Sequence, residues 1–204
     1  MKKDVLHNKT ILIGGIPCIG KSITAEELSR KLKTNQISTD TIRALMRTIS
    51  DKEKYHSLHF FMHEEAEKYL PNTKIDKIIK DYIRESWAVW IGIKKIMEKE
   101  EYNNIRIIEG VANLPVLCAR SRLKNILPIF LYTSKPEVIR KNLFKRGLWG
   151  DSKKLKEYEY KYLVKFNEYI LKSAEKYGYP SVDVYPYNTL QDRILKVIYS
   201  SIKK

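Results

Sequence analysis

The chain has 204 residues, 43% hydrophobic and 31% charged, enough for one globular domain with its own core and two small ones at most; a disordered chain is excluded. Its 39 Lys and Arg against 24 Asp and Glu leave a formal charge of +15, a field that draws nucleotides, phosphorylated metabolites or nucleic acid without choosing among them. Cys18 and Cys118 offer neither a disulfide framework nor a paired zinc spacing, and no apolar run nears the roughly 20 residues that span a bilayer, so a disulfide-stapled scaffold and a membrane protein are excluded and a cytoplasmic location is expected.

In chain order, the first element is the apolar, β-branched run Thr10 to Gly14, which predicts a strand. Gly15-Ile16-Pro17-Cys18-Ile19-Gly20-Lys21-Ser22 follows at once and fits G-x-x-x-x-G-K-[ST], with Ala25, Leu28 and Leu32 at helical spacing behind it. Strand, glycine loop and helix in that order make a phosphate-binding loop, whose backbone N–H groups wrap a phosphate while the helix adds its positive end. Gly15, Ile16, Pro17, Cys18, Ile19, Gly20, Lys21, Ser22 and Ile23 are therefore the candidate nucleotide-binding residues. Lys21 is placed to bridge the β- and γ-phosphates of ATP, and the Ser22 hydroxyl to ligate Mg²⁺. Cys18 reads as an incidental small residue, reactive only if its thiol pKa were lowered.

Gln36 to Thr39 predicts the second strand, closed by Asp40 with Arg43 three residues on. At the carboxyl edge of a parallel sheet both face the phosphate loop, where the carboxylate can take or orient the proton of a substrate hydroxyl and the arginine can hold an anion. Spacing leaves equal room for a second view, with Asp40 capping a helix that begins at Thr41 and Arg43 in solvent. The connection to the third strand is too long for a simple crossover, and a helical insertion at about 50–100 is expected to build the substrate site. His56, His59 and His63 lie there. The segment His59-Phe60-Phe61-Met62-His63 lacks the glutamate of a zinc-protease helix and no fourth ligand accompanies it, so no metal is assigned. The clearest helix runs from about Lys74 to Lys99 on Ile75, Ile78, Ile79, Tyr82, Ile83, Trp90, Ile93 and Met97, with Trp87 and Ile91 widening a stripe that reads as core.

Ile105 to Glu109 predicts the third strand, ending in Glu109-Gly110; this acid reaches Mg²⁺ through water or, with Gly110, contacts substrate. After a fourth strand, Ile126 to Tyr132, come Arg140, Arg146 and Gly147-Leu148-Trp149-Gly150-Asp151, a short lid at about 147–156 that would carry cations to a transferring phosphoryl group. A helix at about Leu155 to Tyr177 aligns Tyr158, Tyr162, Phe166, Tyr169 and Ile170 and is ended by Gly178 and Pro180. A fifth strand, Ser181 to Tyr185, and a terminal helix on Leu190, Ile194, Val197 and Ile198 complete the chain. Alternating strands and helices predict a parallel sheet with helices on both faces, a three-layer α/β fold in a single domain, 1–204.

The loop at 15–22, Ile-Ser-Thr-Asp-Thr-Ile-Arg-Ala-Leu-Met-Arg at 37–47 and Ile-Ile-Glu-Gly-Val at 107–111 resemble P-loop small-molecule kinases and, more narrowly, the archaeal 2-phosphoglycerate kinase family. Fainter similarity runs through 140–146 and 177–180. The resemblance implies a P-loop NTPase fold with five strands in the order 2-3-1-4-5 and ATP and Mg²⁺ as cofactors. It also implies Lys21 and Ser22 on phosphate and metal, Asp40 and Arg43 as substrate or base residues, and Arg146 as a catalytic lid residue. The expected activity is transfer of a γ-phosphoryl group to a small anionic metabolite, 2-phosphoglycerate-like. Competing expectations are a nucleoside, nucleotide or RNA-directed kinase, nucleic acid not being the favoured partner, and an NTP-binding switch without transfer. Oligomeric state is not legible in the chain.

Overall fold

The computed structural model describes residues 9–60, 63–99 and 105–202. Five strands, β1 (Thr10–Gly15), β2 (Asn35–Ser38), β3 (Ile105–Glu109), β4 (Ile126–Tyr132) and β5 (Ser181–Asp183), form one parallel sheet in the order β2-β3-β1-β4-β5. This is the order that the resemblance implied. The three inner strands are covered on both faces, which is why apolar residues follow one another in them instead of alternating, Arg106 of β3 apart: Ile11, Leu12, Ile13, Ile107, Ile108, Ile129, Phe130 and Leu131 are fully buried.

The helices are α1 (Lys21–Leu32), α2 (Thr39–Ile49), α3 (His56–His59), α4 (His63–Asn72), α5 (Ile75–Glu98), α6 (Pro115–Ser121), α7 (Pro136–Arg146), α8 (Lys153–Lys176) and α9 (Leu190–Ile202). α1 and α9 pack together on one face of the sheet; on the other, α6 and α8 lie on β4, and α5 packs against α8. In α5 the buried indole of Trp90 donates to the Ala112 carbonyl at 2.7 Å, so a large apolar ring is buried without stranding its N–H.

Three expectations need correction. The second strand stops at Ser38, one residue early, and the helix begins at Thr39 rather than Thr41, because the Ser38 hydroxyl accepts the Asp40 N–H at 3.1 Å and caps α2. The fifth strand ends at Asp183, not Tyr185. Trp87 and Ile91 do not join the core stripe, being 50% and 54% exposed. At about 100° per residue they fall on the side of α5 opposite Ile78, Tyr82, Val89 and Ile93.

Two of the three histidines, His56 and His59, lie on α3. His59 closes α3 and is buried, its Nε2 3.0 Å from the Ser50 hydroxyl, with burial and the nearby Arg47 charge lowering its pKa. His56 is exposed and meets Phe60 edge-on. The His63 side chain lies outside the described ones.

Strand register sets the level of the site. Ser38 pairs with Glu109 and Glu109 with Ile13, so β2 and β3 finish together at the carboxyl edge and β1 runs two residues further beside β4, to Gly15. The chain order reverses beside β1, where open α/β sheets leave a crevice.

Candidate active site

The loop leaving β1 is pinned from below by Ile16 and Ile19, both buried. Gly20 holds the N-cap position of α1 with φ 94°, a left-handed angle that a side chain would strain. No side chain caps α1 and no acid occupies its first turn, whereas α2 and α8 are capped by Ser38 and Ser152. The leading N–H groups of α1 are thus left for a ligand, and the positive end of the helix faces the crevice uncompensated. Lys21 is buried at the start of α1, its Nζ donating to the Ile16 carbonyl at 2.8 Å. Burial lowers its pKa, while the Glu109 and Asp40 charges oppose that shift. The Cys18 carbonyl accepts from Asn142 Nδ2 at 2.9 Å, tying the loop to α7. Burial raises the Cys18 thiol pKa against the pull of Arg146 and Lys21, so this is not an activated thiol.

One pocket opens on this loop. Pro17, Cys18, Lys21 and Ser22 line its floor, Asp40 and Arg43 of α2 and Tyr82 of α5 one wall, Glu109, Gly110 and Val111 the end of β3, and Arg146, Leu148 and Trp149 the far side. The structure thus brings together Lys21, Ser22, Asp40, Arg43, Glu109, Gly110 and Arg146, which the sequence had singled out separately. Ile23 is not among them; it is 66% exposed and points away.

Ser22 Oγ donates to Glu109 Oε1 at 3.1 Å, so a hydroxyl and a carboxylate stand side by side at the lysine. This donor set suits Mg²⁺, a hard ion that keeps several waters and takes one or two protein oxygens beside phosphate. Among the described residues no group of three or more His, Cys, Asp or Glu is placed to hold a metal by itself.

On the opposite wall, Asp40 Oδ1 lies 2.9 Å from Arg43 Nη2. Since Ser38 caps α2, Asp40 is not held in place by capping, and that alternative is removed. Arg43 is not a solvated side chain: it is 23% exposed and its Nη1 lies 3.5 Å from Glu85 Oε2 of α5. Burial works against its charge, but Tyr82, Glu85 and Asp40 outweigh it and raise the guanidinium pKa.

Arg146, the last residue of α7, is exposed at the pocket mouth. Beyond it the Trp149 N–H donates to Glu159 Oε1 at 2.8 Å, and the indole stacks on Tyr162 at 5.8 Å. Arg140, the other cation flagged beside the lid, turns away from the pocket; both its amino groups bond Glu157 and its guanidinium lies over Phe144 and Tyr160, clasping α7 to α8. Sequence reasoning missed Tyr82 and Glu85, which sit inside the apolar stripe of α5. A charged residue in phase with Ile78, Tyr82 and Val89 was the available signal.

No family model matches the chain. It is related to archaeal 2-phosphoglycerate kinases at 25–28% identity. That of Methanocaldococcus jannaschii is 27% identical over 199 residues, covering 95% of this chain and 64% of the relative; that of Methanothermobacter thermautotrophicus is 28% identical over 204 residues, covering 95% and 66%. The chain therefore spans just under two thirds of the length of these relatives. Among solved structures, a gluconokinase from Sinorhizobium meliloti 1021 superposes with a TM-score of 0.57 at 12% identity, covering 96% of this chain and 94% of its own. An uncharacterized protein from Eubacterium ventriosum superposes with a TM-score of 0.51 at 15% identity, covering 95% and 99%. These two likenesses concern the fold. No helix among the described residues is long and apolar enough to cross a membrane.

Proposed function

We propose that the chain is an ATP- and Mg²⁺-dependent kinase that phosphorylates a small anionic metabolite, with 2-phosphoglycerate the first acceptor to test. The observation that carries this reading is a single pocket in which an uncapped helix end, Lys21 and the Ser22–Glu109 pair face Asp40 and Arg43. The first set has the chemistry of a triphosphate and its metal, the second that of a hydroxyl-bearing anion.

Lys21 neutralises charge on the β- and γ-phosphates, exchanging the Ile16 carbonyl for phosphate oxygen. Ser22 would hold Mg²⁺ with its hydroxyl, and Glu109 beside it would hold the ion through water. Bound Mg²⁺ supplies charge neutralisation between the phosphates. Asp40 orients the acceptor hydroxyl and takes its proton, and the planar fork of Arg43 grips the acceptor's anionic group. Arg146 reaches in from the end of α7 to offset charge on the group in transfer.

The test is acceptor-dependent ADP release across phosphorylated and carboxylated metabolites, nucleosides, nucleoside monophosphates and short RNAs. Turnover with an anionic metabolite, at a KM only weakly dependent on salt, is the expected result. A KM for RNA that climbs steeply with salt, through loss of many phosphate contacts, would move the reading to nucleic acid. ADP release that needs no acceptor would make the chain a nucleotide switch.

A further inference from the structure

Glu85 has no part in the chemistry above, yet it is 1% exposed in the middle of α5. An ionised carboxylate at such depth is costly unless it is paired and hydrogen-bonded. Its two oxygens divide between two arginines: Oε1 lies 2.6 Å from Arg47 Nη2 and Oε2 lies 3.5 Å from Arg43 Nη1. Arg47 is fixed in turn by donating Nε to the Leu58 carbonyl at 2.6 Å. The arginines sit four residues apart on α2, where two like charges repel. Glu85 stands between them from the facing helix. Burial raises the Glu85 pKa, and both arginines pull against that rise.

Arg43 is consequently gripped from both ends of its fork, by Asp40 on the pocket side and by Glu85 and the neighbouring Tyr82 on the buried side. Without the Glu85 charge the buried side of the fork would keep only Tyr82, and the guanidinium, still paired with Asp40, would turn more readily off its bearing on the acceptor.

We infer that Glu85 is a positioning residue, fixing the buried end of the Arg43 fork while Asp40 holds the pocket end, so that the guanidinium keeps one orientation toward the acceptor, with Arg47 as the second counter-charge on Glu85. This rests on the reading of Arg43 as the acceptor's anchor. It also gives α5 a defined part: it aims a group borne by α2.

Two variants test it. Glu85→Gln keeps volume and hydrogen bonding but removes the charge, and Glu85→Asp keeps the charge but draws it back by one methylene; if the Gln protein does not fold, the Asp protein carries the same measurements. With 2-phosphoglycerate as acceptor probe, Glu85→Gln should raise the acceptor KM by about tenfold or more with kcat within about threefold, the split expected when ground-state anchoring is lost. Glu85→Asp should lie between it and the unaltered chain, and ADP affinity measured by calorimetry should be unchanged. Placed on Arg43→Lys, Glu85→Gln should add less than about twofold, because groups that act through one another are not additive. Crystal structures of the unaltered and Glu85→Gln chains should show the Arg43 guanidinium turned away from position 85 in the variant, with its Nη1 no longer on the buried side. If 2-phosphoglycerate stimulates no ADP release even in the unaltered chain, that acceptor falls, and the crystal comparison alone decides the part of Glu85. An Arg43 guanidinium that keeps its place without the Glu85 charge, full additivity with Arg43→Lys, or an equal loss of ADP affinity would each overturn the inference.

Discussion

Replacing Asp40 by Asn separates chemistry from folding, because Ser38 and not Asp40 caps α2. Asp40 is 61% exposed and pairs with Arg43 at 2.9 Å, and exposed pairs contribute about 1 kcal/mol or less. Its charge in the first turn of α2 adds about 0.3–1 kcal/mol through the helix dipole. Folding should therefore lose no more than about 2 kcal/mol, the sum of those two contributions. If Asp40 orients and deprotonates the acceptor, turnover should fall by about 10²-fold or more, close to 2.7 kcal/mol on the barrier. Ser38→Ala is the converse: loss of the cap costs about 1 kcal/mol of stability and leaves the pocket groups in place. Urea unfolding and acceptor-dependent ADP release on both variants give the two numbers side by side. Turnover of Asp40→Asn within about tenfold of the unaltered chain, or an equal loss of turnover in Ser38→Ala, would refute the assignment of a proton-handling role.

The other predictions concern the loop, the metal, the end of β3 and the lid. Lys21→Ala should abolish turnover while the protein stays folded, the lost hydrogen bond to Ile16 costing about 1 kcal/mol; rates within a few-fold of the unaltered chain count against it. Ser22→Ala should raise the Mg²⁺ concentration needed for half-maximal rate, and an unchanged Mg²⁺ titration removes Ser22 from the metal site. In Gly110→Ala the new Cβ would strike Thr39 at the start of α2, and φ is +145°, so overpacking and backbone strain together should cost about 2–5 kcal/mol in urea unfolding; a loss under about 1 kcal/mol contradicts this. Glu159 is fully buried, and its second carboxylate oxygen has no hydrogen-bond partner among the described residues. Burial raises its pKa above the ordinary value of 4.5, with the Trp149 N–H and Lys156 opposing. A raised acid favours the protonated fold, so its contribution is whole below the unfolded pKa and is lost as pH rises through the folded one. Glu159→Gln should accordingly lose less stability between pH 5 and 8 than the unaltered chain, and identical pH dependence in urea midpoints defeats the reasoning.

What the sequence determined by itself was local. Gly15 to Ser22 are contiguous, and a loop whose work is done by its own backbone and the first turn of the next helix needs no distant partner to be legible. The consecutive apolar residues of β1 and β4 likewise announced strands covered on both faces, because burial on both sides removes the reason for alternation. Asp40, Arg43, Glu109 and Arg146 were visible as residues at strand and helix ends, but their meeting was not.

That meeting depended on register and helix phase. Ser22 and Glu109 are 87 positions apart and touch only because β3 pairs beside β1 at one level. A one-residue shift in where β2 stops transferred the cap of α2 to Ser38, which no spacing rule distinguished from capping by Asp40. The turn of α5 sent Trp87 and Ile91 outward while carrying Glu85 under the arginines of α2. Arg140 and Arg146 look alike in the chain, yet six residues of α7 turn one against Glu157 of α8 and set the other at the pocket mouth. Local conformation follows from neighbouring residues, whereas a charge's partner is set by which face of its element the packed core leaves available, and that is decided only when the layers close on one another.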